Sequence, residues 1–433
     1  RARALPAFFE VICLYEKITL PNGVRILHEH IPHVRSCSLG LWVGTGSRYE
    51  SAAMNGASHF IEHLVFKGTT TRSAAELARM MDGIGDQINA FTTKECTCFH
   101  GRSLDLHLPE MRDVLCDMFF NARFDESDVA NERGVILEEI DMYRDTPEDL
   151  VSECLSAAVF RGTPLARPIL GKKSTLERMT GQSLKAYMKA QYGAERIVVA
   201  LSGSYPASEV DALCRLFAAA EPGEKSTFTP AKYTPSFTVR RKAFEQNHLK
   251  LAFPGVRVTD PERFTLQLLS DILGGGMSSR LFQTVREERG LCYSVYSYGS
   301  SYIDTGLLCV YTALGRETEN EALALIVEEI KKMKAYGVTD EELRRAREQV
   351  KANVLMGLES TNTRMNRLGR GELYFGRVME PDEIIAAYDA VTSERIYALA
   401  QRTFDFSQVS FSAVGKTESA EYYKSRLQEL MAE

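Results

Sequence analysis

Residues 183–204 read SLKAYMKAQYGAERIVVALSGS, and residues 395–416 read RIYALAQRTFDFSQVSFSAVGK. Both stretches run from an amphipathic helical pattern through an aromatic residue, Tyr192 or Phe404, to an apolar strand that ends in glycine. The two aromatic residues are 212 positions apart. Because self-similarity at a fixed offset indicates an internal repeat, the chain is predicted to contain two halves of similar fold.

A second pair of segments supports this repeat. The helix that opens at Asp125–Val129 resembles the one that opens at Thr339–Leu343, with an offset of 214 residues. Each follows a strand-like segment and another helical pattern, at 106–121 and 319–335. Two similar offsets at distant places in the chain argue against coincidence.

Each half mixes strands, such as Ser38–Gly44 and Gly306–Thr312, with long amphipathic helices. The absence of strict β-α-β alternation predicts an α+β fold in which a mainly antiparallel β-sheet packs with α-helices. Three prolines and a glycine among Ser, Thr and Lys indicate a linker at 221–238. The predicted domains are residues 15–220 and 239–433, joined by this linker.

Composition excludes several classes of protein. The 433 residues are 44% hydrophobic and 25% charged, which excludes wholesale disorder. A net charge of −6 without a long basic run is unfavourable for general nucleic-acid binding. No run approaches the ~20 apolar residues that span a bilayer, so no membrane partner is expected. Nine scattered cysteines are typical of reduced thiols in a cytosol-like compartment.

The first 14 residues combine Arg1 and Arg3 with a short apolar run, a pattern reminiscent of an export signal. Glu10 interrupts the run, and no small-residue cleavage site follows it. Residues 1–14 are therefore left out of the functional interpretation.

The sharpest local feature is the motif His59-Phe60-Ile61-Glu62-His63. If residues 57–67 are helical, His59 and His63 lie one turn apart on one face and can share an ion. Zinc suits two imidazoles and a carboxylate, with a fourth position open for water whose pKa falls towards ~7. Glu62 lies close enough to that position to act as a base. The alternative is a pair of surface histidines on a helix.

A carboxylate ligand is expected in the segment NERGVILEEI, residues 131–140. On a helix Glu132 and Glu139 are two turns apart on one stripe that is otherwise apolar, whereas Glu138 points about 100° away. Burying an acidic pair is costly unless it meets a cation. The pattern favours Glu139 as metal ligand and Glu132 as a second functional carboxylate; the alternative is a solvated helix face.

The stretch HFIEHLVFKGT, residues 59–69, closely resembles the insulysin/pitrilysin-type inverzincin metallopeptidases, in particular their processing-peptidase branch. The resemblance continues through NAFTTKE (89–95), ERGVILEEI (132–140), PLARPILG (164–171) and YGAERIVVALSG (192–203), and in the second half through GGGMSSRLFQTVREERGLCYSVYS (274–297).

The resemblance implies roles for individual residues. It makes Glu139, 76 positions after His63, the third zinc ligand, and Glu132 a carboxylate that assists catalysis. It implies that Arg286 and Tyr293 reach from the second half to bind the peptide backbone and stabilise the oxyanion. Without it, Arg286 is interpreted as a helix-surface charge and Tyr293 as a strand residue.

The resemblance also assigns Asn89, Ala90 and Phe91 to an edge strand that pairs with an extended substrate. An ordinary strand is the alternative for these side chains. The glycine run 274–276 lacks a following Gly-Lys-Ser/Thr, so nucleotide binding is rejected.

Two further clusters are weighed as metal sites and interpreted as structural. His28, His30 and His33 lack a carboxylate of fixed geometry, and Cys96 and Cys98 on a strand are typical of buried small hydrophobic residues. After residue 107 the one remaining histidine is His248, so the second half cannot repeat the zinc motif. One half is expected to hold the metal while the other helps enclose the substrate.

The predicted function is a zinc metalloendopeptidase with one Zn²⁺ per chain, acting on peptides or unfolded, presequence-like segments in an enclosed chamber. The alternative is a non-catalytic structural or assembly subunit of the same fold. Acidic residues between Glu138 and Asp149 are interpreted either as a solvated helix end or as a chamber wall that favours basic peptides. A homodimer is expected, in the bacterial cytoplasm or alternatively in the mitochondrial matrix.

Overall fold

The computed structural model describes residues 15–85, 87–224 and 227–432. In the first half the strands are β1 (Glu16–Thr19), β2 (Arg25–His30), β3 (Ser36–Val43), β4 (Asn89–Thr92), β5 (Thr97–Leu104) and β6 (Ile197–Gly203). The helices are α1 (Ala57–Leu64), α2 (Ala74–Gly83), α3 (Leu108–Asn121), α4 (Glu126–Asp145), α5 (Pro147–Val159), α6 (Lys173–Leu176), α7 (Gly181–Gln191) and α8 (Ala207–Phe217).

In the second half the strands are β7 (Phe237–Arg241), β8 (Asn247–Pro254), β9 (Cys292–Ser301), β10 (Gly306–Leu314) and β11 (Ser410–Gly415). The helices are α9 (Arg263–Gly274), α10 (Glu319–Tyr336), α11 (Asp340–Gly357), α12 (Thr361–Phe375), α13 (Pro381–Asp389), α14 (Ser393–Thr403) and α15 (Ala420–Ala432). A π-helix spans Phe282–Glu287.

The strand orders confirm the repeat and the α+β class. The first sheet runs β1-β2-β6-β3-β5-β4, and the second runs β7-β11-β8-β10-β9. Apart from the extra β1, the orders correspond strand for strand. In each sheet one pair is parallel, β2 with β6 and β7 with β11, and the other pairs are antiparallel. Strands β6 and β11, which contain the repeated sequence, are buried along their whole length, because other strands pair with both edges and helices α12 and α5 pack against them.

The helix starts preserve the sequence offsets. Helices α4 and α11 follow Asp125 and Thr339, which are 214 positions apart, and α7 and α14 follow Thr180 and Thr392, which are 212 apart. The Thr residues each accept a hydrogen bond from a backbone amide in the first turn. Such N-caps fix where a helix begins.

The halves exchange helices. Helix α5 of the first half packs against β11, β7 and β8 of the second sheet, and α12 of the second half packs against β6, β3 and β2 of the first. The segment between the halves has no helix or strand in its described part until β7 begins at Phe237. The boundaries 15–220, 221–238 and 239–433 stay a prediction, since each sheet is covered partly by the other half.

Candidate active site

Helix α1 places His59 and His63 one turn apart. Its N-terminus is held by the buried carboxylate of Glu50, which accepts hydrogen bonds from the backbone amides of Gly56 and Ser58, both at 2.8 Å. Gly56 precedes the helix with a φ of 102°, a conformation that favours glycine. The hydrogen bonds from two backbone amides to Glu50 and the glycine before the helix therefore fix where the histidine pair lies.

Helix α4 packs against α1 and brings a carboxylate to the two imidazoles. Glu139 Oε2 lies 3.5 Å from His59 Nε2 and 3.5 Å from His63 Nε2. The three potential ligand atoms all lie within 4.8 Å of one another. Among the described residues this is the one such group of three or more His, Cys, Asp or Glu side chains.

The donor set fits zinc. Ligand bonds of ~2.0–2.1 Å at tetrahedral angles separate ligand atoms by about 3.3 Å, close to the two 3.5 Å separations. Glu139 Oε2 is buried and accepts no hydrogen bond from the residues that the structure describes. A buried carboxylate oxygen facing two imidazole nitrogens is the environment that a bound cation stabilises.

Glu132 lies behind His63. Its Oε2 is 3.1 Å from His63 Nδ1, and its Oε1 forms an ion pair with Lys67 Nζ at 2.8 Å. When Nδ1 donates to this carboxylate, the lone pair of Nε2 faces Glu139 and is free to bind a metal. Glu132 was predicted from the sequence to belong to the site, whereas the contact of Lys67 with Glu132 is seen only in the structure.

Glu62 has the environment of a base. Its Oε2 is buried without a hydrogen-bond partner among the described residues. Burial raises the pKa of Glu62, while the Thr92 hydroxyl and the His63 imidazole partly oppose the rise. A carboxylate with a raised pKa accepts a proton more readily near neutral pH.

The two histidines have opposite shifts in pKa. Burial lowers the pKa of His59 to about 4, which favours the neutral imidazole that a metal requires. Burial also acts to lower the pKa of His63, but contacts with Glu139 and Glu132 outweigh it and raise that pKa. The adjacent His63 and His59 lower the pKa of Glu139 against the effect of its burial.

A cavity of about 390 Å³ opens beside these residues. His59, Glu62 and Glu139 line it, and all of its lining residues lie between positions 59 and 170. Acidic groups Asp149 and Glu153 form part of the wall. Of the acidic stretch considered above, Glu139 and Asp149 therefore face this cavity.

Lys94 is a functional candidate that the sequence reasoning missed, although it lies in the quoted NAFTTKE segment. It lines the same cavity, and its Nζ donates to the backbone carbonyl of Arg167. Burial lowers the pKa of Lys94 to about 8, with Glu153 and Glu50 acting in the opposite direction. The run of hydroxyl and charged residues in this segment gave no signal that the Lys94 side chain would be half-buried beside a cavity.

The segment Asn89–Thr92 forms β4, which is the last strand of the first sheet and pairs with β5. Ala90 lies opposite Phe99, and Phe91 lines the cavity. The free side of an edge strand exposes backbone amides and carbonyls that an extended peptide can join. Asn89, Ala90 and Phe91 are thus placed where strand addition would occur, while that role itself stays a prediction.

Arg286 and Tyr293 lie together but outside this cavity. The Arg286 guanidinium is 5.4 Å from the centre of the Tyr293 ring and 4.7 Å from that of Phe282. The Tyr293 side chain is 73% exposed. Neither residue lines the cavity that holds His59, so the contact with substrate implied for the pair stays a prediction.

The two clusters interpreted as structural have structural partners. His28 and His30 pack edge-on against the ring of Tyr205, and Cys96 and Cys98 are buried. The eight cysteines in the described part of the chain are free thiols. Within the same ranges no helix combines the length and apolar character needed to cross a membrane.

Known proteins are similar in sequence to most of the chain. Residues 25–173 match the family described as insulinase (peptidase family M16), and residues 178–350 match the peptidase M16 inactive domain. The uncharacterized zinc protease YmxG of Bacillus subtilis is 43% identical over 94% of this chain and 100% of its own length. The uncharacterized zinc protease SCO5738 of Streptomyces coelicolor is 39% identical over 89% of this chain and 86% of its own length.

Solved structures agree on the fold. A peptidase M16 inactive domain from Pseudomonas fluorescens superposes with a TM-score of 0.86 at 21% identity, over 94% of this chain and 98% of that one. A protease from Helicobacter pylori gives 0.84 at 18% identity, over 93% and 99%. With relatives of about 40% identity along nearly its whole length, the chain belongs to the insulinase family of peptidases, family M16.

Proposed function

We propose that the chain is a zinc metalloendopeptidase that cleaves peptides or unfolded segments. The observation that carries this proposal is the convergence of His59, His63 and Glu139 beside the half-buried Glu62, whose Oε2 atom is buried. Relatives named as zinc proteases support the same chemistry. His59, His63 and Glu139 would hold one Zn²⁺ per chain, and the ion would supply Lewis acidity towards water and the scissile carbonyl.

The proposal also assigns a role to the residues that surround the zinc ligands. Glu62 takes a proton from the attacking water and passes it to the leaving amine, for which its raised pKa is suited. Glu132 holds His63 in one tautomer through Nδ1. Strand β4 binds the peptide backbone, and Arg286 and Tyr293 would contact the substrate from the second half.

The charges of the wall support a basic substrate. Glu62, Glu139, Asp149 and Glu153 line the cavity against one lysine, Lys94, so one formal negative charge would remain with Zn²⁺ bound. Opposite charge lowers the free energy of a basic peptide in such a site. We expect a basic peptide to be cleaved faster than its charge-neutralised twin at low salt, and equal rates would contradict this preference.

The assembly and location are also proposals. The chain carries both the zinc motif and the Arg286/Tyr293 pair, which favours a homodimer of active chains; molar mass by light scattering tests it. Free cysteines in the described residues and bacterial relatives support a bacterial cytoplasmic location, with the mitochondrial matrix as the alternative. Fractionation of the source cells would distinguish the two compartments.

The alternative is a non-catalytic structural subunit. The match of residues 178–350 to an inactive domain favours it, although that match covers the half without the zinc motif. Metal analysis combined with peptide cleavage by the wild type, Glu62→Gln and Glu138→Gln separates the two functions. The peptidase proposal requires about one zinc per chain, cleavage by the wild type and by the exposed control Glu138→Gln, and loss of cleavage in Glu62→Gln. Zinc binding without any cleavage would favour the structural subunit.

A further inference from the structure

A second cavity adjoins the one at the candidate active site. Its volume is about 590 Å³, within the range of roughly 300–1,000 Å³ that is usual for ligand pockets. The two cavities share a wall of five residues: Tyr143, Glu153, Ala166, Pro168 and Leu170. A peptide bound at one cavity therefore has the other within reach.

The charges of the two cavities are opposite. Around the first, four carboxylates face one lysine. The second is lined by four basic and two acidic side chains: Arg144, Lys172, Lys173, Arg240, Glu153 and Glu177. The second cavity thus has a formal excess of positive charge beside a site with an excess of negative charge.

Three of the four basic side chains form no ion pair with a described carboxylate. Among the described residues no carboxylate forms an ion pair with Lys172, Lys173 or Arg240; Arg144 pairs with Asp141 on its own helix at 2.9 Å. All four basic side chains are exposed, so salt screens their mutual repulsion, and an anion between them is stabilised most at low salt.

Both halves of the chain contribute these cations. Lys172 and Lys173 lie at the start of α6, and Arg240 lies on β7 of the second half. Helix α5 packs against β7 and carries Glu153 of the shared wall, so it fixes the distance between Arg240 and the first cavity. The charges are therefore positioned by the packing between the halves.

We propose that this second cavity binds a carboxylate of the peptide substrate while the scissile segment lies in the first cavity. The proposal rests on the peptidase function proposed above. Lys and Arg bind carboxylates through charge-assisted hydrogen bonds. The carboxylate belongs either to an acidic side chain or to the C-terminus of the peptide, and the preferred substrate is consequently polarised, basic near the cleaved bond and acidic away from it.

The test measures peptide binding without turnover. The zinc-loaded full chain carrying Glu62→Gln is titrated with fluorescent peptides that share a basic segment. One peptide has a distal glutamate and a free C-terminus, a second has glutamine in place of glutamate, and a third has an amidated C-terminus. A fourth carries both changes.

We expect the peptide with both carboxylates to bind about three- to tenfold more tightly than the fourth peptide at low salt, and the difference to shrink as salt rises. Whichever single change removes the preference identifies the source of the carboxylate. Adding Arg240→Gln, or Lys172→Gln with Lys173→Gln, should abolish the preference. Lys424→Gln on α15, an exposed lysine outside both cavities, should leave it unchanged.

Equal affinity for all four peptides would overturn the proposal, as would a preference that survives both the Arg240 and the lysine substitutions. Circular dichroism and melting curves establish that each variant is folded. Because the readout is binding, failure of this inference is distinct from failure of the proposed function, which would appear as absence of cleavage by the wild type.

Discussion

Glu132 is a buried carboxylate between two groups that can carry positive charge. It is 5% exposed and contacts His63 Nδ1 and Lys67 Nζ. Its neighbour on the helix, Glu138, is exposed. These two glutamates, six residues apart on α4, thus have different environments, because Glu132 faces α1 and Glu138 faces solvent.

Replacing Glu132 tests whether it orients His63. We expect Glu132→Gln to weaken zinc binding by about 10- to 100-fold, since partners of metal-ligating histidines typically have effects of this size. Competition with a chromophoric chelator measures the change. Glu138→Gln should bind zinc as tightly as the wild type does. An equal loss of zinc affinity in both variants would show that any substitution on α4 disturbs the site and that Glu132 has no specific effect on His63.

At the scale of elements, two helical glycines have opposite surroundings. A Cβ at Gly369 of α12 would lie 2.2 Å from Trp42 Nε1 of the first sheet, whereas a Cβ at Gly134 of α4 would meet no atom within 4 Å. Gly369 therefore permits the close approach of α12 to β3. Gly134 makes no comparable contact and lowers the stability of its helix relative to alanine.

The matched pair Gly369→Ala and Gly134→Ala should shift stability in opposite directions. The first is expected to destabilise by about 1–3 kcal/mol through overpacking, and the second to stabilise by up to ~1 kcal/mol through helix propensity. Melting temperatures of the two variants and the wild type provide the measurement. A Gly369→Ala variant as stable as the wild type would show that α12 does not pack on Trp42 as described, and a Gly134→Ala variant that is destabilised would contradict the helix-propensity argument for α4.

Glu342, in the first turn of α11, connects this helix to Arg280 and to the N-cap residue Thr339. Arg280 donates to both carboxylate oxygens of Glu342, at 2.7 and 2.9 Å, and the Thr339 amide donates at 2.8 Å. Burial acts to raise the pKa of Glu342, but these contacts outweigh it and lower the pKa to about 2. An acid whose pKa falls on folding stabilises the protein above its unfolded pKa of ~4.3 and loses that contribution as the pH falls towards 2.

Glu342→Gln should therefore lower the melting temperature at pH 7 and lower it by roughly half as much at pH 3, where a carboxylate with a pKa of about 2 is still mostly ionised in the folded protein. Melting curves at both values, taken in the same salt, measure the two differences. A difference that is as large at pH 3 as at pH 7 would mean that the ionised carboxylate is not what stabilises the start of α11.

At the scale of the whole molecule, buried ion pairs join the halves. Glu29 of β2 is 2% exposed and pairs with Arg364 and Arg367 of α12, the latter at 3.2 Å. A separate pair joins Arg48 of the first half to Asp304 of the second at 2.7 Å. The Glu29 pairs lie where the exchanged helix α12 meets the first sheet, and all three pairs hold the halves in one arrangement.

Removing the charge of Glu29 leaves two arginines without their common partner. We expect Glu29→Gln to destabilise by about 3 kcal/mol, because breaking a buried ion pair leaves an uncompensated charge. Calorimetric melting detects the loss. Asp105→Asn, which breaks the pair with Arg35 at the surface, serves as the control and should leave the melting temperature unchanged. Equal melting temperatures of Glu29→Gln and the wild type would contradict a role of this cluster in joining the halves.

The repeat, the α+β class and the family could all be predicted from the amino-acid sequence. Repeats and caps are local: the offsets of 212 and 214 recur in the strands and helix starts because each unit depends on near neighbours in the chain. The His59–His63 spacing likewise needs one helical turn. For this reason the three ligand-type residues could be named before their positions were known.

Tertiary structure decided what depends on residues distant in sequence. It exchanged α5 and α12 between the sheets and placed Glu132 beside His63 Nδ1. It also put the half-buried Lys94 at the cavity and set a basic cavity beside an acidic one. None of these follows from periodicity, because periodicity identifies the buried face of an element but not the element that covers it. Burial and charge at the site arise from that packing, and so the electrostatics of substrate binding are a property of the assembled halves.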